Sequence, residues 1–262
     1  MLSVGQLRIT MVQMDIEWEN PALNREKVSN IVSSLKGITD LILFPETFTT
    51  GFSTKSVHLA EPMDGPTINL MQQLAIQHQT AVGGSLIIKD NQQIFNRFVF
   101  IYPNGDVASY DKRHLFSIGD ENGFFQNGTK RVVIDYAGWR IMPLICYDLR
   151  FPVWSRNRSD VDLLIYVANW PSVRSDVWKT LLKARAIENQ LYVAGVNRVG
   201  EDGNSISYSG ESLLYGPRGE QINQPPLGKE QWSTYTISLY ALNNFREKFP
   251  VAGDADDFEI FV

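Results

Sequence analysis

Leu144-Ile145-Cys146-Tyr147-Asp148-Leu149-Arg150-Phe151-Pro152 joins an apolar run to a polar turn. The run begins at Ile141 and meets no charge until Asp148. That is the pattern of a strand buried on both faces, as found in α/β layers. In open sheets of that class, ligands bind outside the carboxyl ends of the strands. Cys146 stands at such an end. It is the single cysteine of 262 residues, so it forms no intrachain disulfide and no multi-thiolate metal site. A lone cysteine also serves often as a small core residue, and the stretch alone leaves both readings open.

Outward from this strand, strands and helices alternate. Residues 7–13 show a period of two, 41–44 form a continuous apolar run, and 81–88 with 94–102 read as a strand pair. A short strand at 107–110 runs into Asp111-Lys112, and 132–135 pairs with 140–146. Further strands are expected at 163–168 and 191–196, and at 207–215 and 232–239 around the turn Gly216-Pro217-Arg218-Gly219. Asn20-Pro21 opens a helix whose inner face is Val28, Ile31, Val32 and Leu35. A second helix carries Met71, Leu74, Ala75 and His78, and a short one is expected after Pro152. Ser175-Asp176 caps another, with Val177, Leu181, Ala184 and Glu188 in spaced rows, and a last helix spans 240–248 before an acidic tail. No repeat or linker divides the chain, so a single α/β domain over 1–262 is expected.

Composition removes several classes of function. With 44% hydrophobic and 20% charged residues the chain has the makings of an ordinary globular core. A net charge of -5 speaks against a nucleic-acid partner, which calls for a Lys/Arg surplus. No apolar run nears the roughly 20 residues that span a bilayer. Met1-Leu2-Ser3-Val4-Gly5-Gln6 lacks the regions of an export signal, so a cytoplasmic protein without a membrane partner is the expectation. His58, His78 and His114 show no metal-ligand spacing, and no metal is expected. Gly83-Gly84-Ser85 lacks the phosphate-binding glycine patterns, so no cofactor is signalled. Ser85, Ser209 and Ser212 lack the frame of a serine nucleophile. His114 is the one plausible histidine partner for Cys146, at a spacing that matches no cysteine-histidine motif.

Three strand ends remain: Glu46 after Phe44-Pro45, Lys112 after Tyr110-Asp111, and Cys146 before Tyr147-Asp148. A thiolate is a strong nucleophile, a carboxylate can serve as its base, and an ammonium favours the thiolate and can hold an oxyanion. Each residue also has a plain structural use, as cap, surface charge or core. Their joint occurrence at the ends of apolar runs favours chemistry.

Phe44-Pro45-Glu46, Asp111-Lys112-Arg113-His114-Leu115-Phe116 and Ile145-Cys146-Tyr147-Asp148-Leu149-Arg150-Phe151-Pro152 together resemble the nitrilase superfamily of carbon–nitrogen hydrolases. Leu182-Lys183-Ala184-Arg185-Ala186-Ile187-Glu188-Asn189-Gln190 is similar to the family's helix after the nucleophile. The resemblance implies a four-layer α-β-β-α sandwich, with subunits pairing as a homodimer or higher homo-oligomer through helices next to Cys146. It implies that Glu46 is the general base, Lys112 the oxyanion stabiliser and Cys146 the nucleophile, with the backbone N–H of Tyr147 as a second oxyanion donor. Glu121 matches a supporting glutamate that orients Lys112 and the bound amide, and the neighbouring Asp120 leaves that assignment open. Within the superfamily, residues 151–157, 166–171, 197–200 and 246–250 are most similar to the omega-amidases, which hydrolyse the terminal amide of 2-oxoglutaramate. A small-molecule amide is thus the expected partner. Its carboxylate needs a cation: Arg150 is the candidate, with an ion pair to Asp148 as the alternative. Phe48, Phe116 and Trp170 are candidate pocket walls. The rivals are a deaminated-glutathione amidase, a carbamylase or an aliphatic amidase, and, from another class, a catalytically silent scaffold of the same fold.

Overall fold

The computed structural model describes residues 5–55 and 57–261. Residues 1–4, which make up most of the segment considered above as an export signal, lie outside the described residues, as do Ser56 and Val262. The first half runs β1 (Gln6–Gln13), α1 (Pro21–Ser34), β2 (Leu41–Leu43), α2 (Pro66–His78), β3 (Ala81–Asp90), β4 (Gln93–Ile101) and β5 (Val107–Asp111). The second half runs β6 (Ile134–Tyr136), β7 (Trp139–Ile145), β8 (Leu163–Ala168), α3 (Ser175–Asn189), β9 (Tyr192–Asn197), β10 (Val199–Glu201) and β11 (Ser207–Ser209). It ends with β12 (Leu213–Tyr215), β13 (Gln231–Ser238) and α4 (Leu239–Lys248).

Two sheets result, in the orders β13-β1-β2-β3-β4-β5 and β12-β9-β8-β7-β6, with a small β10-β11 hairpin beside them. The central strands of each sheet are parallel, β1-β2-β3 in one and β7-β8-β9 in the other. Period two explains the layering. Leu41, Leu43, Phe98 and Phe100 share a buried cluster with Ile141, Leu163 and the rest of the second sheet. Ile42, Val82, Val99 and Ile101 point the other way, onto Val28, Ile31 and Val32 of α1 and Met71, Leu74 and Ala75 of α2. On the far side of the second sheet, Trp178 and Leu182 of α3 close onto β9, where a side chain at Gly195 would overlap both. This is the α-β-β-α sandwich. Among the described residues no helix is long and apolar enough to cross a membrane.

Four local expectations are corrected. The buried face of α3 is Trp178, Leu182, Arg185, Ala186 and Asn189, one position round from the row read in the sequence. Gly195 admits Trp178 and Leu182, while Arg185 turns inward because its Nη2 donates to the Leu149 carbonyl at 2.7 Å. The same helix begins at Ser175 itself, with Arg174 in the cap position and no capping side chain. No helix follows Pro152. A 3-10 turn, Cys146–Arg150, precedes it, and Phe151 is extended (φ -116°, ψ 88°), as a residue before proline tends to be. Finally β12 and β13 are not a pair: β12 lies against β9 and β13 against β1, at the edges of different sheets. By contrast α1 starts as expected, with the Asn20 side chain accepting the Leu23 N–H at 3.2 Å.

Candidate active site

Three strand ends converge between the sheets. Phe44 still donates to Gly83, and Pro45, having no N–H, ends the ladder. Thr47, at φ +44°, then folds the chain so that its N–H reaches Ser85 Oγ at 2.9 Å. Between them Glu46 is only 1% exposed. Its Oε1 accepts from Lys112 Nζ at 2.9 Å and Asn96 Nδ2 at 2.8 Å, and its Oε2 from the Asn169 N–H at 2.8 Å. Donors from three residues, in or just past three strands, hold this carboxylate in one orientation, the Asn169 side-chain amide also reaching Oε2 at 3.4 Å.

Lys112, just past β5, is 1% exposed and spends its ammonium on two carboxylates: Glu46, and Glu121 at 3.0 and 2.9 Å. Burial works against its charge, but Glu121 and then Glu46 outweigh it, so the ammonium is held more firmly than in an ordinary lysine. Glu121 also accepts the Phe116 N–H at 2.6 Å and the Asn96 amide at 3.2 Å. Burial pushes its carboxyl pKa up, against Lys112. Asp120 is exposed, at φ +56°, and makes none of these bonds, so of the two neighbouring acids Glu121 is the one that meets Lys112.

Cys146 opens the 3-10 turn at φ +43°, a conformation that costs a non-glycine residue about 1–3 kcal/mol and so needs support from around it. Burial first, and then the Glu46 carboxylate, push the thiol well above its ordinary pKa, with Lys112 pulling the other way. The resting sulfur therefore keeps its proton. The Lys112 ammonium favours the thiolate, as its charge implies, but it is already shared by two carboxylates. Iodoacetamide alkylation of Cys146 is accordingly expected to keep accelerating past about pH 8.5, where an ordinary thiol is already half ionised, and to reach its plateau at a higher pH than such a thiol. A plateau at or below about pH 8.5 is the outcome that shows a resting thiolate.

Glu46, Lys112 and Cys146 line one cavity of about 460 Å³, a size suited to a small molecule. Residues 8–247 match the family described as carbon-nitrogen hydrolase. The chain belongs to that family. Omega-amidase YafV of Escherichia coli K12 is 44% identical over 257 residues, 97% of this chain and 99% of its own. The 2-oxoglutaramate amidase of Bacillus subtilis is 31% identical over 252 residues, 94% of this chain and 96% of its own. XC1258 of Xanthomonas campestris, a CN-hydrolase superfamily protein whose structure has an arsenic adduct in the active site, superposes with a TM-score of 0.96 at 43% identity. The match covers 98% of this chain and 99% of that one. This carbon–nitrogen hydrolase thus acts on amide C–N bonds and has the nitrilase-superfamily fold.

Around the hydrolase's cavity, Phe116, Tyr147, Arg150 and Trp170 are lining residues. Phe48 is not. It is 0% exposed and packs 5.1 Å from Phe44 in the core under α1 and α2, because the positive φ of Thr47 sends it to that side. Phe52, four residues on, takes the wall position, its ring 5.2 Å from Lys112 Nζ. Arg150 does not pair with Asp148, whose oxygens are taken by Tyr110, His114 and Ile145. Its guanidinium lies 5.3 Å from the Trp170 ring centre and has no acidic partner among the described residues. Arg174, unremarked in the sequence, lies 5.6 Å from the Phe116 ring centre in the same cavity and is likewise without an acid. Asn96 and Asn169 were also missed. Asn169 follows the apolar run of β8, so the strand-end rule could have found it. Asn96 interrupts the apolar residues of β4, and a lone polar residue at an inward position was the available signal.

Proposed function

We propose that this hydrolase is an omega-amidase that converts 2-oxoglutaramate to 2-oxoglutarate and ammonia through a Cys146 thioester. Glu46 accepts the thiol proton as sulfur bonds to the amide carbon, and the oxyanion rests on the Lys112 ammonium and the Tyr147 N–H. Tyr147 is second in the 3-10 turn, where a backbone N–H has no acceptor within the helix. The carbonyl re-forms, the C–N bond breaks, and Glu46 returns the proton to the departing nitrogen, giving ammonia and the thioester. Water then attacks the thioester carbon and loses a proton to Glu46. The C–S bond breaks, the sulfur regains that proton, and the acid leaves. Glu121 keeps Lys112 aimed throughout.

The observation that carries the substrate assignment is the pair Arg150 and Arg174, two cations in the cavity with no acidic partner among the described residues. A neutral aliphatic amide has no use for them, whereas the free carboxylate of a 2-oxo acid amide does. Hydrogen bonds to charged groups are worth about 1.5–3 kcal/mol. Arg150→Met and Arg174→Met are therefore expected to lower kcat/KM on 2-oxoglutaramate by roughly ten- to a hundredfold each, mostly through KM. Activity on a neutral amide should hardly change. Equal losses on both substrates remove the arginines from carboxylate recognition. Ammonia release across a panel that includes an N-carbamoyl amino acid and deaminated glutathione tests the substrate itself. A better rate on either one overturns the omega-amidase reading in favour of a carbamylase or a deaminated-glutathione amidase. The silent-scaffold reading is disfavoured because Glu46, Lys112 and Cys146 line one cavity and the first two are hydrogen-bonded.

A further inference from the structure

Asp148 is 0% exposed and makes no part of the mechanism above. Each of its oxygens accepts two hydrogen bonds. Oδ1 takes the His114 N–H at 2.9 Å and His114 Nδ1 at 2.8 Å, and Oδ2 takes the Tyr110 hydroxyl at 2.8 Å and the Ile145 N–H at 3.0 Å. These donors are not a random set. Tyr110 and His114 stand two residues before and two after Lys112, and Ile145 immediately precedes Cys146. One buried carboxylate therefore ties the segment that carries the oxyanion cation to the turn that carries the nucleophile.

The clasp is supported from behind. The Tyr110 oxygen also accepts the Arg113 N–H and the Trp154 indole N–H, both at 3.1 Å. The His114 ring stacks on Phe151, 3.8 Å between ring centres and 8° from parallel. The turn between them holds Cys146 at its positive φ and presents the Tyr147 N–H. We propose that Asp148 is a positioning residue that locks the Lys112 segment to the Cys146 turn, so that thiol, ammonium and backbone N–H converge on one carbonyl. The proposal rests on the cysteine mechanism above, and it holds for whichever amide the enzyme turns over fastest.

Asparagine is the diagnostic replacement. Each Asp148 oxygen faces a main-chain N–H, and a main-chain N–H cannot become an acceptor. Whichever way the amide of Asp148→Asn turns, its NH2 meets a donor, while volume is preserved. A shift of about 1 Å in a reacting group can cost a hundredfold. Asp148→Asn is expected to lower kcat about a hundredfold on the best substrate of the parent enzyme, with KM changed by less than about threefold. Activity is expressed per folded molecule, counted by thermal unfolding and thiol titration. A structural role alone lowers the folded fraction or the Tm and leaves kcat per folded molecule at the parent value, and that result overturns the proposal. If Asp148→Asn does not fold, His114→Phe carries the test, since it keeps the stack on Phe151 and deletes one bond to Oδ1. A roughly tenfold lower kcat at unchanged KM supports the lock, and a parent kcat overturns it. If the parent enzyme fails on 2-oxoglutaramate but hydrolyses another amide, the substrate assignment falls and the Asp148 measurement proceeds on that amide.

Discussion

Cys146→Ala is expected to lose amide hydrolysis by a factor on the order of 10⁶, as removal of a nucleophile does in serine hydrolases, and to fold as stably as the parent. No second thiol exists in the chain to take over. The sulfur's hydrogen bond to the Asn169 carbonyl is a weak contact at 4.0 Å, so deleting it strands no strong donor or acceptor. Alanine at φ +43° bears the same backbone strain as cysteine, because the strain comes from Cβ. Glu46 keeps its donors on Asn96, Lys112 and Asn169, and Lys112 keeps both carboxylates. Ammonia release and thermal unfolding on the same sample separate the two effects. Release at the parent rate would sink the thioester mechanism outright.

Lys112→Met is expected to damage stability and activity together. The ammonium is buried between Glu46 and Glu121, and methionine leaves both carboxylates in the interior without their cation. Breaking a buried ion pair by removing one partner costs about 3–5 kcal/mol. The variant can escape part of this by protonating Glu121, whose carboxyl burial already pushes upward in the parent. A carboxyl whose folded pKa lies above its unfolded value contributes stability at low pH and loses it as pH rises through the folded value. The Tm of Lys112→Met should therefore climb relative to the parent as pH falls from about 8 towards about 5. In the parent the ammonium prefers its charge more strongly than free lysine does, so its contribution is intact across that range. Turnover should fall by at least about a thousandfold, since loss of one oxyanion donor alone costs a hundred- to a thousandfold and the base beside it is displaced as well. A parent-like Tm with a flat pH response, or activity within tenfold of the parent, contradicts the buried network.

Much of the site is legible along the chain itself. Glu46, Cys146 and Asn169 each follow an apolar run, and a parallel strand buried on both faces delivers the residue after it to the site edge, whereas Lys112 follows the antiparallel edge strand β5. Residues that support these groups are harder to see. Asn96 and Asp148 look like ordinary polar interruptions, and their weight comes from hydrogen-bond partners far away along the chain: acceptors for Asn96, donors for Asp148. Phe48 and Phe52 show the limit for aromatics: both follow Glu46 closely, and one positive φ at Thr47 sends the nearer ring into the core.

The α/β class and the family followed from sequence alone, the class because burial pattern is written locally along the chain and the family because the motifs that resemble it are short continuous stretches. Pairing, orientation and protonation were decided by the tertiary structure. Whether β12 meets β13 or β9, which face of α3 turns inward, whether Arg150 is free of Asp148, and whether the Cys146 thiol keeps its proton all depend on contacts across layers. Those contacts act over about 3 Å between residues tens of positions apart. The interaction between two charges falls with distance and rises as water is excluded, so it takes its value only once the sheets have closed on one another.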